Sequence, residues 1–358
     1  MTHFLEDILR QPVELQRTIN YLQGAGRRRL AEAAATIRNA RHVYLTGIGS
    51  SWHAALTAAP LFSLGGHPVY MQDASELLPF AAIPSDAVII VISRTGRSIE
   101  IVHLLAKARE CGAIVIAVTN SEDGPLAQEA QIPIVIGTEF DHGISVNTYS
   151  TLAATAGILA SASIGVFDDA LTTSLSRSFA AAASALAGWR QQIAESAWLL
   201  PGSVSYFLAR GSSLGTCHEA RLLWEEGVKS PATAMGTGAF RHGPQEMVTE
   251  GARFGIWIDG RSMRAQDLSV ARDLMRLGAC VMLIGQDLPE HSGHLVFRLP
   301  EVPSEWQFLI DVIPAQLVAE RLAGLSGVDC DTFRLCSYIV EDEWGLSHEK
   351  SGAPKEET

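Results

Sequence analysis

Cysteine is scarce in this chain: five in 358 residues, Cys111, Cys217, Cys280, Cys330 and Cys336, an odd number with no CxxC pair. That excludes a disulfide framework and a cysteine zinc site, and it fits a reducing compartment. Basic charge is also short, 27 Lys and Arg against 39 Asp and Glu, for a net charge of −12. Nucleic acid and anionic membrane surfaces select for the opposite sign, so neither is expected as a partner. No window reaches the roughly 18 uncharged apolar residues of a membrane span. The nearest, "FLIDVIPAQLVAERLAGL", carries Asp, Pro, Glu and Arg. The opening "MTHFLEDILRQPVEL" has acidic residues where a signal peptide has a basic end followed by an apolar stretch, so a soluble cytoplasmic protein is expected. Nucleotide signatures are missing as well: there is no GxxxxGK[ST], and "GIGSSW" lacks the third glycine of GxGxxG.

What is present is a well-filled α/β chain, 47% hydrophobic and 18% charged, with "SHEKSGAPKEET" as its only loose polar stretch. "HVYLTG", "AVIIVIS" and "AIVIAVTN" are β-rich on both faces, the mark of parallel strands covered by helices. Between them "SIEIVHLLAKARECG" has helical spacing and a glycine stop, giving βαβ order and predicting an open doubly wound sheet. The pattern then repeats. "VYLTGIGSSWHAAL" lies beside "SYFLARGSSLGTCHEARLL", and "LAKARECGAIVIAVTN" beside "ARDLMRLGACVMLIGQD", at offsets of 162 and 166 residues. The predicted organisation is an N-terminal helical segment (1–30), a first α/β domain (31–185), a second (186–345) and a polar tail (346–358). The Ala/Ser-rich stretch around 178–200 is expected to be a packed connecting helix.

In an open parallel sheet, ligands sit beyond the carboxyl ends of the strands, beside the amino-terminal turns of the following helices. Free N–H groups and the helix dipole favour an anion there. Gly49-Ser50-Ser51 and Ser93-Arg94-Thr95-Gly96-Arg97-Ser98 occupy two such turns in one repeat, which predicts a phosphate cradle. Ser, Thr and Gly are also ordinary capping residues, and either turn alone favours that plainer reading. Two such turns after neighbouring strands reverse it. A single arginine is more often a solvated charge; of Arg94 and Arg97, Arg94 is the better candidate for a ligand. "GISVNTYSTLA" brings Ser145, Asn147 and Thr148 to the start of a third helix, where capping explains half the signal. In the second repeat the ionisable groups stand out: Glu219, Glu225, Glu226 and His242. Glu225 follows "RLLW" on a largely apolar helix, where desolvation raises a carboxylate toward a useful base. His242 precedes Gly-Pro in a loop, and histidine is the side chain type most used to shuttle protons. For any one Glu or His a structural role is the commoner outcome. Periodicity does not choose between Glu225 and Glu226.

Taken in order, "FLEDILRQP", "GSSWHA", "DASEL", "SRTGRS", "GISVNTYST", "EARLLWEEG", "FRHGP" and "GVDCDTFR" resemble the double sugar isomerase (SIS) domain proteins over roughly residues 4–340. The resemblance is to the isomerase half of glucosamine-6-phosphate synthase and to related phosphosugar isomerases and deglycases. It implies two tandem flavodoxin-like, three-layer αβα domains with parallel sheets. It also implies a hexose or hexosamine 6-phosphate substrate and an aldose–ketose isomerase without metal or cofactor. Carried over residue by residue, phosphate binding falls on Ser51, Ser93, Arg94, Thr95 and Ser98, with Ser50 in the same turn, and a sugar-hydroxyl contact on Ser145. The proton-moving glutamate falls on Glu225, with Glu226 as the register-shifted alternative. The ring-opening histidine is His242, delivered across a homodimer whose subunits share the active site. Two departures stand out. The Schiff-base lysine of the synthases has no counterpart in "FRLCSYIVEDE", where Tyr338 or a neighbour stands, while Lys350 and Lys355 lie in the polar tail. Arg94 stands where the synthases carry glutamine. With no glutaminase domain in this sequence, isomerisation is expected. A fructosamine-type deglycase, an aminotransferase-like enzyme and a non-catalytic sugar-phosphate regulator are the alternatives.

Overall fold

The computed structural model describes residues 1–199 and 203–342; the expected polar tail, with Lys350 and Lys355, lies outside them. The first half carries strands β1 (His42–Thr46), β2 (Tyr70–Met71), β3 (Ala87–Ser93), β4 (Ile114–Thr119) and β5 (Ile132–Val135). The second carries β6 (Ser205–Ala209), β7 (Ala232–Gly236), β8 (Arg253–Trp257), β9 (Cys280–Gly285) and β10 (Leu295–Arg298). Helices α1 (His3–Gln23) and α2 (Arg27–Asn39) precede the first sheet. Helices α3 (Ser50–Leu64), α4 (Ala74–Phe80), α5 (Ile99–Cys111) and α6 (Pro125–Glu129) connect its strands. After it come α7 (Asn147–Ser163) and α8 (Asp169–Ala194). In the second half α9 (Ser213–Leu223), α10 (Thr237–Phe240) and α11 (Arg264–Arg276) connect strands, and α12 (Phe308–Leu325) follows the sheet.

Both sheets are parallel throughout and run in the same order, β2-β1-β3-β4-β5 and β7-β6-β8-β9-β10. This is the doubly wound order in which the chain reverses direction between the first and third strands of each unit. Every residue of β3 is buried, as its unbroken apolar sequence predicts for a central strand covered on both faces. The repeat extends to backbone detail. Gly49 and Gly211 have φ of 57° and 55°, and Gly112 and Gly278, each just past a helix, have φ of 79° and 84°. Left-handed backbone is where glycine carries no Cβ penalty, so the two sequence offsets mark equivalent turns.

One large apolar core joins the halves, drawing on α1, α3, α7, α8, α9 and α12, while smaller clusters fill the outer face of each sheet. Helices α3 and α9 pack backbone to backbone at Gly215, where a Cβ would lie 2.5 Å from the His53 carbonyl oxygen. The apolar window that came nearest to a membrane span is α12, a helix buried along most of its length. Among the described residues no helix is long and apolar enough to cross a membrane. The Ala/Ser-rich stretch belongs to α8, which runs unbroken through the expected domain join at 185/186. "DASEL" is a helix start, with the Asp73 carboxylate accepting from the Ser75 and Glu76 N–H groups at 3.0 and 3.2 Å.

Candidate active site

A cavity of about 230 Å³ opens beyond the carboxyl ends of β1 and β3, at the reversal point of the first sheet. Ser50, Ser51, Ser93, Arg94, Thr95, Ser98 and Ser145 all line it. The turn after β3 is shaped by its own hydroxyls: the Gly96 N–H donates to Ser93 Oγ at 3.0 Å and the Arg97 N–H to Thr95 Oγ1 at 3.3 Å. Arg97 turns outward to Asp123 at 3.0 Å and is not part of the lining. Ser145 Oγ pairs with Thr148 Oγ1 at 2.9 Å. The start of α7 is held by Asp141, whose carboxylate accepts from the Val146, Asn147 and Thr148 N–H groups at 2.8 to 3.0 Å. Asp141 is a residue that sequence reasoning misses, because it lies upstream of the Ser/Asn/Thr run that carries the visible signal.

The glutamate facing the cavity is Glu226. Glu225 turns away, its carboxylate accepting from Arg221 at 2.6 Å, and does not line the cavity. Of the two neighbouring carboxylates the fold thus brings the register-shifted alternative to the cavity. After α9 the chain enters a π turn, Trp224–Val228, that ends at Lys229 in left-handed backbone; single π turns inside helices recur at functional sites. Glu226 lies in this π turn, four residues after the cavity residue Leu222. Burial, reinforced by the neighbouring Glu219 charge, raises the Glu226 carboxyl to about 7, against the pull of Arg94 and Lys229. Glu219 itself accepts from Ser50 Oγ at 3.0 Å and meets His53 Nδ1 at 2.7 Å. Ser50 is thereby tied across the two halves of the chain.

The roof of the cavity comes from residues 333–340. The Arg94 guanidinium lies 3.9 Å over the Tyr338 ring and donates to the carbonyls of Tyr338 and Gly143 at 3.1 and 3.4 Å. The Ile99 N–H, at the start of α5, donates to Val340 O at 3.0 Å. Tyr338 Oη donates to Asp141 O at 3.2 Å, and Lys229 Nζ holds Thr332 O at 2.9 Å. No lysine lines the cavity among the described residues. His242 is exposed in the turn after α10 and is not brought to the cavity within one chain.

The SIS domain family model matches residues 36–163, which include the cradle turns, Ser145 and α7. Curated relatives include the glutamine–fructose-6-phosphate aminotransferases (isomerizing) of Pyrobaculum aerophilum and Aeropyrum pernix. They are 26% and 27% identical over 95% of this chain, and the match covers 58% and 57% of their own lengths. The chain thus spans a little over half the length of these relatives. Among solved structures, the C-terminal domain of glucosamine-fructose-6-phosphate aminotransferase from Francisella tularensis has a TM-score of 0.82 at 18% identity, over 93% of this chain and 98% of that one. Glucosamine-6-phosphate deaminase from Thermotoga maritima has a TM-score of 0.80 at 20% identity, over 95% and 99%. Tagatose-6-phosphate ketose/aldose isomerase from Escherichia coli has a TM-score of 0.80 at 19% identity, over 96% and 98%. Residues 36–163 thus carry an SIS domain, and these solved structures share the two-sheet fold over nearly the whole chain.

Proposed function

We propose that the chain is a phosphosugar isomerase acting on a hexose or hexosamine 6-phosphate. The observation that carries this reading is one cavity lined both by the hydroxyls and Arg94 of the β1 and β3 turns and by a carboxylate poised at about 7. In this reading the phosphate docks on Ser51, Ser93, Thr95, Ser98 and Arg94, displacing the Tyr338 carbonyl from the guanidinium. The open-chain sugar then runs past Ser145 toward Glu226. An aldose–ketose interconversion removes a carbon-bound proton beside a carbonyl and returns it one atom away through an enediol. A single carboxylate with a pKa near working pH serves both transfers, and fixing the phosphate holds C1 and C2 in register. Ring opening is assigned to His242 from a partner subunit, in a homodimer with shared active sites, because its exposed turn is free to meet a second copy.

A deglycase or deaminase outcome uses the same cradle and base. It is favoured by one feature: the cavity roof presents Tyr338, and no described lining residue is a lysine able to hold a ketose as a Schiff base. The test is to follow hexose and hexosamine 6-phosphates by proton NMR in D2O while assaying ammonia. Solvent exchange at C1 or C2 without ammonia supports isomerisation, and ammonia release supports the deaminating reading. Saturable binding with neither reduces the protein to a sugar-phosphate sensor.

A further inference from the structure

Outside the cavity, at the start of α1, two imidazoles and a carboxylate converge from the N-terminal helical segment and from the loop before α7. His3, Glu6 and His142 each offer a ligand atom within 4.8 Å of the others. The two rings are stacked, with centroids 4.3 Å apart and planes 14° from parallel. Each is steered by an acid: His3 Nδ1 meets Glu6 Oε2 at 3.3 Å and His142 Nδ1 meets Asp7 Oδ1 at 3.0 Å. The backbone is held from behind, because the His142 N–H donates to Asp7 Oδ2 at 2.9 Å and the His3 N–H to Asp331 Oδ2 at 2.9 Å. Asp7 is buried, with its side chain 2% exposed, while the two imidazoles are 58% and 44% exposed.

We propose that His3, Glu6 and His142 form a binding site for a divalent transition-metal cation. Two imidazoles and one carboxylate are a donor set suited to Zn²⁺ and its neighbours and unsuited to Mg²⁺ or Ca²⁺, which take oxygen ligands. Donors around a tetrahedral zinc lie roughly 3.3 Å apart, from bonds near 2.0–2.1 Å. The ligand atoms now lie within 4.8 Å of one another, and because a ring nitrogen's lone pair lies in the ring plane, one imidazole must turn out of the stack to share an ion with the other. With Nδ1 of His142 engaged by Asp7, Nε2 is the nitrogen left to ligate, and a carboxylate behind a ligating imidazole is a recurrent means of fixing its tautomer and aim. Water supplies the remaining position. The cation does no chemistry on the sugar. It ties the first turn of α1 to the segment beside Gly143 and Ser145, two cavity residues.

The test is calorimetric titration of the chelator-treated full chain with ZnCl2 in a non-coordinating buffer. One saturable site is expected. His3→Ala and His142→Ala should each weaken it at least tenfold, and His67→Ala, outside the cluster, should leave it unchanged. Melting of the metal-free variants separates a lost ligand from a lost fold: His3→Ala should melt with the wild type, and His142→Ala, which removes a partner of the buried Asp7, should melt lower but still cooperatively. No saturable site, or one that either substitution leaves intact, overturns the proposal whatever the fate of the isomerase reading.

Discussion

The turns after β3 and β8 are equivalent in the two repeats and differ in what their backbone N–H groups meet. After β3 the backbone N–H groups meet neutral partners: Ser93 Oγ, Thr95 Oγ1 and, at Ile99, the Val340 carbonyl. After β8 a carboxylate fills the turn, with Asp259 Oδ2 accepting from the Ser262 and Met263 N–H groups at 2.7 Å each. The Gly-Ser-Ser turns diverge in the same way. Ser51 faces the cavity, whereas Ser213 donates to the buried Asp311 at 2.6 Å. Neutral oxygens can be joined or displaced by an incoming phosphate. A fixed carboxylate already occupies the anion's place and repels another. Duplication of the fold therefore did not duplicate the site, and the second repeat contributes carboxylates where the first contributes donors.

The strongest way to break this division of labour is to neutralise the second repeat's cavity carboxylate. Glu226→Gln should slow C1/C2 solvent exchange by about 10²–10⁴-fold, the range for a general base, while Glu225→Gln should stay within roughly threefold. In the wild type, kcat/KM for exchange should climb about tenfold per pH unit and level off near pH 7, because the raised carboxyl must lose its proton before it can accept one. A flat profile from pH 5 to 8 would remove Glu226 as the base.

Stripping the first repeat's donors comes next. Ser93→Ala combined with Thr95→Ala should weaken hexose 6-phosphates by about 10–100-fold in calorimetry, from two hydrogen bonds of about 0.7–1.4 kcal/mol net each. Unphosphorylated sugars should be indifferent, and an equal loss for both ligand types would contradict the cradle.

The carboxylates of the second repeat also leave a mark on stability. Burial raises Asp311 from 3.8 to about 7. Between those values the native chain holds a proton that the unfolded chain has released, so this contribution is complete below about pH 4 and lost as pH rises to about 7. Denaturant unfolding of Asp311→Asn should lack that fall, gaining roughly 2–4 kcal/mol on the wild type between pH 4 and 7. The smallest effect belongs to Asp259→Ala. Removing a carboxylate that caps two N–H groups should cost about 1 kcal/mol in the same assay without altering sugar-phosphate affinity.

The repeat was legible because its signals are local: β-branched runs with both faces apolar, glycines at left-handed turns, and hydroxyls at helix starts. All seven residues nominated for substrate binding reach one cavity, because strand-end position follows directly from βαβ order. Between Glu225 and Glu226 periodicity made no choice, because Trp224–Val228 is a π turn and not regular α-helix; the fold brings Glu226 to the cavity. Asp141, which braces α7 and takes the Tyr338 hydroxyl on its carbonyl, carries no signal of its own, since a carboxylate capping a helix several residues downstream looks like any loop aspartate.

The amino-acid sequence by itself determined the duplicated parallel α/β fold and the polar chemistry at the ends of β1 and β3, because both depend on residue type over a few neighbouring positions. Only the tertiary structure decided which glutamate is desolvated, that residues 333–340 roof the cradle through Arg94, and that His3 and His142 stack. Those outcomes depend on contacts between segments far apart in the chain, where burial and distance set the energies.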